Sequence, residues 1–164
     1  MSTYQASRGS GSSNAFSSWP KTGSLSNSIP VRIPPREASL AWLASQRAPD
    51  PERWLAFAGG APLQALAYAG EAAAWDRVLK SPQPEDDRES LERLAEGLQK
   101  IAYDRAFAAC GLPPKYRTGA PAGGSARAWL GYARRLGEDR VLTRHPLNPR
   151  LFSAELLGAR DDLT

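Results

Sequence analysis

The chain has 164 residues, of which 41% are hydrophobic, with 21 Lys and Arg against 17 Asp and Glu and a single cysteine, Cys110. This length allows one medium domain or two small ones, and no stretch approaches the roughly 18 uninterrupted apolar residues that a membrane span requires. One cysteine excludes an internal disulfide and a four-cysteine zinc site, and the N-terminus has no apolar region typical of a secretory signal. We therefore expect a cytoplasmic protein without a membrane-bound part.

The net charge of +4 is spread thinly: +2 over 1–31, +1 over 32–80, −1 over 81–118 and +2 over 119–164. A protein that tracks phosphates usually concentrates positive charge on one element. The charge pattern is therefore weak support for nucleic-acid binding.

Residues 1–31 form a Ser/Gly-rich segment, whose first thirty residues contain ten serines, three glycines and no acidic residue. Such a composition buries too little apolar surface to offset the entropy lost on ordering. We expect this segment to be disordered.

Residues 32–80 predict three short helices. The first begins at Pro35, and the second begins with Asp50 as N-cap and Pro51 in the first turn. Two glycines, Gly59 and Gly60, end the second helix. The third begins at Pro62 and extends to about residue 80. The side chains that we expect to face inward are Leu40, Trp42 and Leu43 in the first helix and Leu63, Leu66 and Ala67 in the third.

Residues 85–160 predict a helical bundle. Its longest helix carries an apolar stripe at 3-4-3 spacing, formed by Leu91, Leu94, Leu98 and Ile101. The charged residues Glu89, Glu92, Arg93, Glu96 and Lys100 are expected on its other faces. Gly111 and the Pro113–Pro114 pair end this helix.

Two further helices complete the predicted bundle. Ser125 is the expected N-cap of a helix over 126–143 that packs Trp129, Leu130, Ala133 and Leu136 inward. In the stretch HPLNPRLFSAELL (145–157), Asn148 is the expected N-cap and Pro149 the first helical residue of a last helix that folds back on the two before it. No convincing alternating strand occurs, so the predicted fold is all-α.

Catalytic motifs are absent from the sequence. It contains no phosphate-binding GxxxxGK[ST] loop, no GxGxxG before a helix and no GxSxG elbow. One histidine, His145, and one cysteine do not make a metal site, and Cys110 is expected to be a buried or half-buried small apolar residue. We predict no catalytic, cofactor-binding or metal-binding residue, so a small enzyme is the least favoured interpretation.

The C-terminal part is rich in arginine, which leaves an alternative function open. A small basic helical module could bind DNA through the Arg127–Arg150 region, because arginines contact phosphates. The candidate contacts for this alternative are Arg127, Arg134, Arg135 and Arg144. A solvated face or subunit contacts is the competing interpretation of the same residues.

Three stretches together resemble the delta-prime subunit family of the bacterial DNA polymerase III clamp loader. They are ASLAWLASQ…LAFAGGAPLQALAYA (38–69), LQKIAYDRAFAACGLPPKY (98–116) and HPLNPRLFSAELLG (145–158). Each stretch is weak alone, but their order and spacing make the match fairly specific. The likeness covers about residues 31–160 and concerns the C-terminal half of that family.

The resemblance implies a division of the chain and a role. Residues 32–80 correspond to the three-helix lid of an AAA+ module, and 85–160 to the helical collar domain that joins five related subunits into a ring. Where related ATP-hydrolysing loaders begin the third lid helix with GxxR, this chain has GAPLQAL, with Leu63 at the position of the arginine. This implies a subunit that does not hydrolyse ATP and needs no cofactor.

The family's N-terminal AAA+ domain has no counterpart here, so the resemblance implies a truncated or fragmentary form. Without that neighbour, a lid of about 50 residues is too small to bury its surface, and we expect an exposed apolar patch. Its candidate members are Leu40, Leu43, Trp54, Phe57 and Leu63.

The implied function is that of a non-catalytic subunit in a DNA-directed DNA polymerase (nucleotidyltransferase) complex, which mediates assembly in DNA replication. Its partners would be the other clamp-loader subunits, and it would meet DNA only through the complex. The subunit-interface candidates, on the last helix and on the helix over 126–143, are Trp129, Tyr132, Arg134, Arg135, Leu151, Phe152 and Leu156.

Overall fold

In the computed structural model, which describes residues 34–143, 145 and 147–163, every regular element is an α-helix. The helices are α1 (Arg36–Ser45), α2 (Pro51–Phe57), α3 (Pro62–Gly70), α4 (Ala72–Lys80), α5 (Arg88–Ala109), α6 (Ala126–Leu142) and α7 (Pro149–Asp161). The all-α prediction is confirmed. The segment predicted to be disordered, 1–31, lies outside the described residues.

The stretch from Pro62 to Lys80 folds as two helices, α3 and α4, so the prediction of one continuous helix here was wrong. The break lies at Glu71, whose backbone has φ −110° and ψ 25°. Gly70 precedes it, and glycine is a poor helix former because it loses more backbone entropy than other residues. The change of direction lets the rings of Tyr68 and Trp75 meet edge to face, with 4.8 Å between their centroids.

Prolines begin three helices where the sequence predicted them, at Pro51, Pro62 and Pro149. The Asn148 side chain accepts a hydrogen bond from the Leu151 amide at 3.2 Å, as expected of an N-cap. Asp50 and Ser125 occupy the predicted N-cap positions but make no side-chain cap hydrogen bond. Asp50 is in the left-handed region at φ 44°, so its capping geometry was predicted wrongly.

Helices α1 to α4 enclose the first of two hydrophobic clusters. This N-terminal cluster consists of Leu43, Trp54, Leu55, Phe57, Ala65, Tyr68, Ala69 and Trp75. Its centre is aromatic: Phe57 lies edge to face against Trp54, Tyr68 and Trp75 at centroid distances of 5.7, 5.0 and 5.1 Å. Such pairs add about 0.5–1.5 kcal/mol each beyond the apolar area they bury.

The inward face of α3 differs from the prediction. Leu63 is 74% exposed, and Ala67 is also exposed. The buried residues of this helix are Ala65, Tyr68 and Ala69, with Leu66 partly buried. The prediction assumed one helix with a single apolar stripe from residue 62 to residue 80. Because α3 ends at residue 70, the side of α3 that faces the core is instead the side on which Tyr68 contacts Phe57.

Helices α5, α6 and α7 enclose the second cluster, which also includes Val78 from α4. This C-terminal cluster consists of Val78, Leu91, Leu94, Ala95, Leu98, Ala102, Ala106, Trp129, Tyr132, Ala133, Leu136, Leu156 and Leu157. The predicted α5 stripe is confirmed as buried. Leu130 was predicted to be inside but is exposed, and the Tyr132 side chain occupies that inward face instead.

Close packing joins α4 to α5 at Gly97. A Cβ atom on this glycine would lie 2.5 Å from Val78 Cγ1, closer than any side chain tolerates.

Within the described ranges, no helix has the length and apolar content needed to cross a bilayer.

Candidate interaction surfaces

The last helix, α7, is fixed to the linker before α5. Ser153 is fully buried. Its hydroxyl accepts a hydrogen bond from the Glu85 amide at 2.9 Å and donates one to the Arg150 carbonyl oxygen at 3.0 Å. Arg150 also pairs with Asp86 at 3.1 Å. The corner at 145–149 therefore directs α7 back against the start of α5, and one face of α7 remains outside.

Three of the predicted subunit-interface residues are buried inside the bundle, so they are corrected to core residues. Trp129 has no exposed surface, and its Nε1 donates to the Gly123 carbonyl oxygen at 2.8 Å. The Tyr132 hydroxyl donates to the carbonyl oxygen of Leu156, itself buried, at 2.7 Å. These large side chains hold α5, α6 and α7 together and cannot reach a partner in this fold.

The other four interface candidates lie at or near the surface. Arg135 pairs with Glu155 of α7 at 3.0 Å, and Arg134 approaches Glu138 at 3.9 Å. Leu151 is 71% exposed, whereas Phe152 is partly buried against the C-terminal cluster. Arg134, Arg135 and Leu151 are thus exposed, whereas Phe152 contributes partly to the core.

Several exposed apolar residues on α6 and on the corner after it were not among the predicted interface residues. Helical spacing places Leu130, Arg134 and Val141 on one stripe of α6, and Val141 is 61% exposed. We define the α6–α7 surface as Leu130, Arg134, Val141, Leu142, Leu147 and Leu151. The missed signal was the apolar residues of α6 at positions outside the core spacing.

Two of the four candidate arginines of the DNA-binding alternative, Arg134 and Arg135, are paired with acidic side chains. Arg140 lies 3.5 Å from Glu96, and the pairs of Arg134, Arg135 and Arg150 are given above. Arg127 is exposed, and Arg144 lies outside the described residues. The pairs of Arg134 and Arg150 are exposed, and exposed pairs contribute little, so the DNA-binding alternative stays a prediction.

An apolar groove of about 350 Å³ lies between α1 and the start of α3. We call it the Leu63 groove; its lining residues are Pro34, Ala38, Ser39, Trp42, Pro62 and Leu63. The expected apolar patch is thus much smaller than predicted, because Leu43, Trp54 and Phe57 are buried. The physical reason is that α1 to α4 pack around these side chains, and Lys100 of α5 lies over the Phe57 ring.

A buried lysine occupies the space between the aromatic cluster and α5. Lys100 is only 9% exposed, although the sequence predicted it on a charged outer face. Its Nζ lies 3.8 Å from the Phe57 ring centroid and 4.2 Å from that of Tyr68. It also donates to the Tyr68 hydroxyl at 3.0 Å and pairs with Glu96 at 2.9 Å. These contacts replace the water that a charged ammonium loses on burial.

Burial and pairing set the protonation of this cluster. Burial lowers the pKa of Lys100, against the opposing effect of its hydrogen bond to Glu96. Burial would raise the pKa of Glu96, but hydrogen bonds from Tyr68 and Lys100 outweigh it, so the net pKa lies below its ordinary value. Burial, together with the hydrogen bond that it donates to Glu96, raises the pKa of Tyr68 far above its ordinary value. The cluster has its partners within the chain, which fits a structural role.

The remaining candidate groups for chemistry are scattered. Cys110 is exposed, which contradicts its predicted burial, and it follows the last residue of α5. His145 is exposed on the corner before α7. Within the part of the chain that the structure describes, no three metal-ligating side chains come together.

Comparison with protein-family models, with curated proteins and with solved structures found no match for this chain.

Proposed function

We propose that the chain is a non-catalytic helical subunit of a clamp loader of the DNA polymerase III type, and that it acts by assembling with sister subunits. The observation that carries the proposal is the order and spacing of the three sequence stretches that resemble the delta-prime family. They fall on α1 to α3, on the second half of α5 with the loop after it, and on the corner with α7. The resemblance therefore involves both hydrophobic clusters.

The α6–α7 surface supports a role in assembly. Val141 and Leu151 expose apolar side chains on the outside of a bundle whose core is already filled. Together with Leu142 and Leu147 they concentrate exposed apolar side chains between residues 141 and 151, and such exposure is typical of protein–protein contacts. In a ring of related subunits each domain meets two neighbours by different faces, and we assign this surface to one of those contacts.

The Leu63 groove supports a second contact. Leu63 and Trp42 border an apolar depression on the lid-like part of the chain. By analogy with the family, this side of a lid packs against an AAA+ domain. Leucine at position 63 offers apolar contact and no positive charge, so the proposed role involves no nucleotide chemistry at this position.

Co-purification with the other clamp-loader subunits of the same cell tests the proposal. We expect the affinity-tagged chain to retain the other subunits, and Val141→Asp combined with Leu151→Asp to reduce their recovery about tenfold, since each aspartate would be desolvated at the contact. Leu112→Asp is the matched control, because Leu112 is exposed outside the α6–α7 surface. Equal recovery from both variants, with circular dichroism showing both folded, would contradict the assigned surface.

A further inference from the structure

A second depression, of about 510 Å³, lies between the start of α1, α2 and the loop that follows α5. Its floor includes apolar atoms of Leu55 and Ala56 together with the Pro113–Pro114 pair. Its rim includes Arg36, Lys115, Arg117 and Glu52. We call this depression the basic groove; its charged rim residues amount to three cations and one carboxylate.

A buried carboxylate accepts hydrogen bonds from the loop that forms one wall of the basic groove. Asp104 is almost fully buried, and its two oxygens accept hydrogen bonds from the amides of Tyr116 and Thr118, each at 2.8 Å. The Thr118 hydroxyl donates to the same carboxylate at 2.9 Å. The wall is therefore preorganised, which lowers the entropy that a ligand would have to remove on binding.

Arg117 lies between those two anchored amides and has a left-handed backbone, with φ 53°. For a residue other than glycine this conformation costs of order 1 kcal/mol. The Asp104 hydrogen bonds on either side enforce it. Glycine would relieve the strain, whereas arginine at this position brings a positive charge to the lining of the groove.

The carboxylate of Glu52 interacts only weakly with the arginines of the rim. Its Oε2 lies 3.6 Å from Arg36 and 3.8 Å from Arg117, distances too long for good hydrogen bonds, and all three side chains are about half exposed or more. Exposed pairs of this kind contribute at most about 1 kcal/mol. Another carboxylate can therefore replace Glu52 at low cost.

We infer that the basic groove binds an extended acidic segment of a partner protein, with a carboxylate between Arg36 and Arg117 and an apolar side chain on the floor at Leu55. Charge complementarity selects the acidic group, and the apolar floor selects a peptide. Nucleic acid fits less well, because none of the described residues that line the groove carries an aromatic ring for base stacking. Residues 1–31 of this chain contain no acidic residue, so their composition does not match the groove.

Fluorescence anisotropy with the full-length chain tests this inference. The probe is a fluorescein-labelled octapeptide with two Asp–Leu pairs in a Gly/Ser background, and the control peptide has Asn in place of Asp. We expect the Asp peptide to bind about tenfold more tightly than the Asn peptide. Amide shifts of Gly59 and Gly60, which line the groove, report that binding occurs there.

Variants separate binding from folding. Arg117→Gly relieves backbone strain, so we expect a higher midpoint of thermal unfolding together with affinity weakened about tenfold. Glu52→Gln removes the competing carboxylate, so we expect tighter binding. Arg77→Gln is the matched control, because Arg77 is exposed on α4 away from the groove, and it should leave affinity within about twofold.

Equal binding of the Asp and Asn peptides would overturn the inference, and so would an Arg117→Gly variant that binds the Asp peptide as well as the wild type does. An oligothymidylate, or a peptide of residues 1–30, that binds more tightly than the Asp peptide would also overturn it. Concentration-dependent dimers that block the groove would contradict it as well. The test does not depend on clamp-loader assembly. A chain that binds the peptide but recovers no sister subunits would contradict the proposed function alone.

Discussion

The Ser153 hydroxyl accepts a hydrogen bond from the Glu85 backbone amide at 2.9 Å, across 68 residues of sequence. The contact joins the last helix to the linker that precedes the longest one. The Glu85 amide lies outside any helix, at the end of a proline-containing linker, so it has no helical carbonyl oxygen as acceptor. The Asn-Pro corner orients α7 so that the Ser153 hydroxyl provides that acceptor.

Ser153→Ala should destabilise the fold by about 1–3 kcal/mol, because the partly buried Glu85 amide would lose its acceptor. Urea unfolding followed by circular dichroism measures the change. Ser45→Ala is the control, since the Ser45 hydroxyl is exposed at the end of α1, and we expect a change within about 0.5 kcal/mol. Equal effects of the two substitutions would show that the α7 anchor contributes little.

Gly97→Ala should destabilise the fold by about 1–3 kcal/mol, because the added Cβ would lie 2.5 Å from Val78 Cγ1. Gly131→Ala is its helical counterpart, since nothing lies within 4 Å of a Cβ there, and it should stabilise the fold by about 0.5–1 kcal/mol. Thermal unfolding of both variants checks the opposite signs. Adding Val78→Ala should recover part of the loss at Gly97, and a purely additive pair would contradict the steric explanation.

Tyr132→Phe should make stability less dependent on alkaline pH. Burial raises the pKa of Tyr132 far above its ordinary value, so between pH about 10 and that raised pKa the unfolded chain loses a proton that the folded chain keeps. Stability therefore falls as pH rises, by about 1.4 kcal/mol per pH unit for one such group. We expect the difference between wild type and variant to show this slope above pH about 10.5. Parallel curves would contradict the shift.

Asp104→Asn should loosen the wall of the basic groove. An asparagine keeps one carbonyl oxygen, so the amides of Tyr116 and Thr118 cannot both retain acceptors of the present quality. Hydrogen exchange measures the effect: we expect protection of both amides to fall about tenfold or more, while amides in the middle of α6 remain protected. Unchanged protection of these two amides would show that Asp104 does not hold the loop.

Local chemistry predicted much of the helical architecture. Pro51 and Pro149 begin helices because their fixed φ suits the first turn, and the leucine stripe of α5 faces the core because its spacing follows the helix. These signals lie within a few residues of one another, so one sequence was enough to read them.

Burial that depends on distant elements was predicted less well. Gly97, Lys100 and Asp104 share a second buried side of α5, at helical spacing, but each is small or charged and so resembled a solvated face. The partners that bury them come from α3, α4 and the loop after α5. The helical spacing of Gly97, Lys100 and Asp104 could have indicated that they share one side of α5. Their contact partners could be identified only from the tertiary fold.

The predicted interface was limited by the same difficulty. Aromatic residues such as Trp129 and Tyr132 suit both a core and a contact surface, and only the packing of α5 and α7 against α6 decides that they are buried. The exposed Val141 and Leu151 carry the better claim to a contact, since neither has a place in the core.

Native mass spectrometry of the full-length chain mixed with the other clamp-loader subunits of the same cell tests the central claim most directly. The account predicts one complex that contains a single copy of this chain, and loss of that copy with the Val141→Asp and Leu151→Asp double variant. A spectrum in which the chain stays outside every complex, while the remaining subunits assemble with one another, would contradict it.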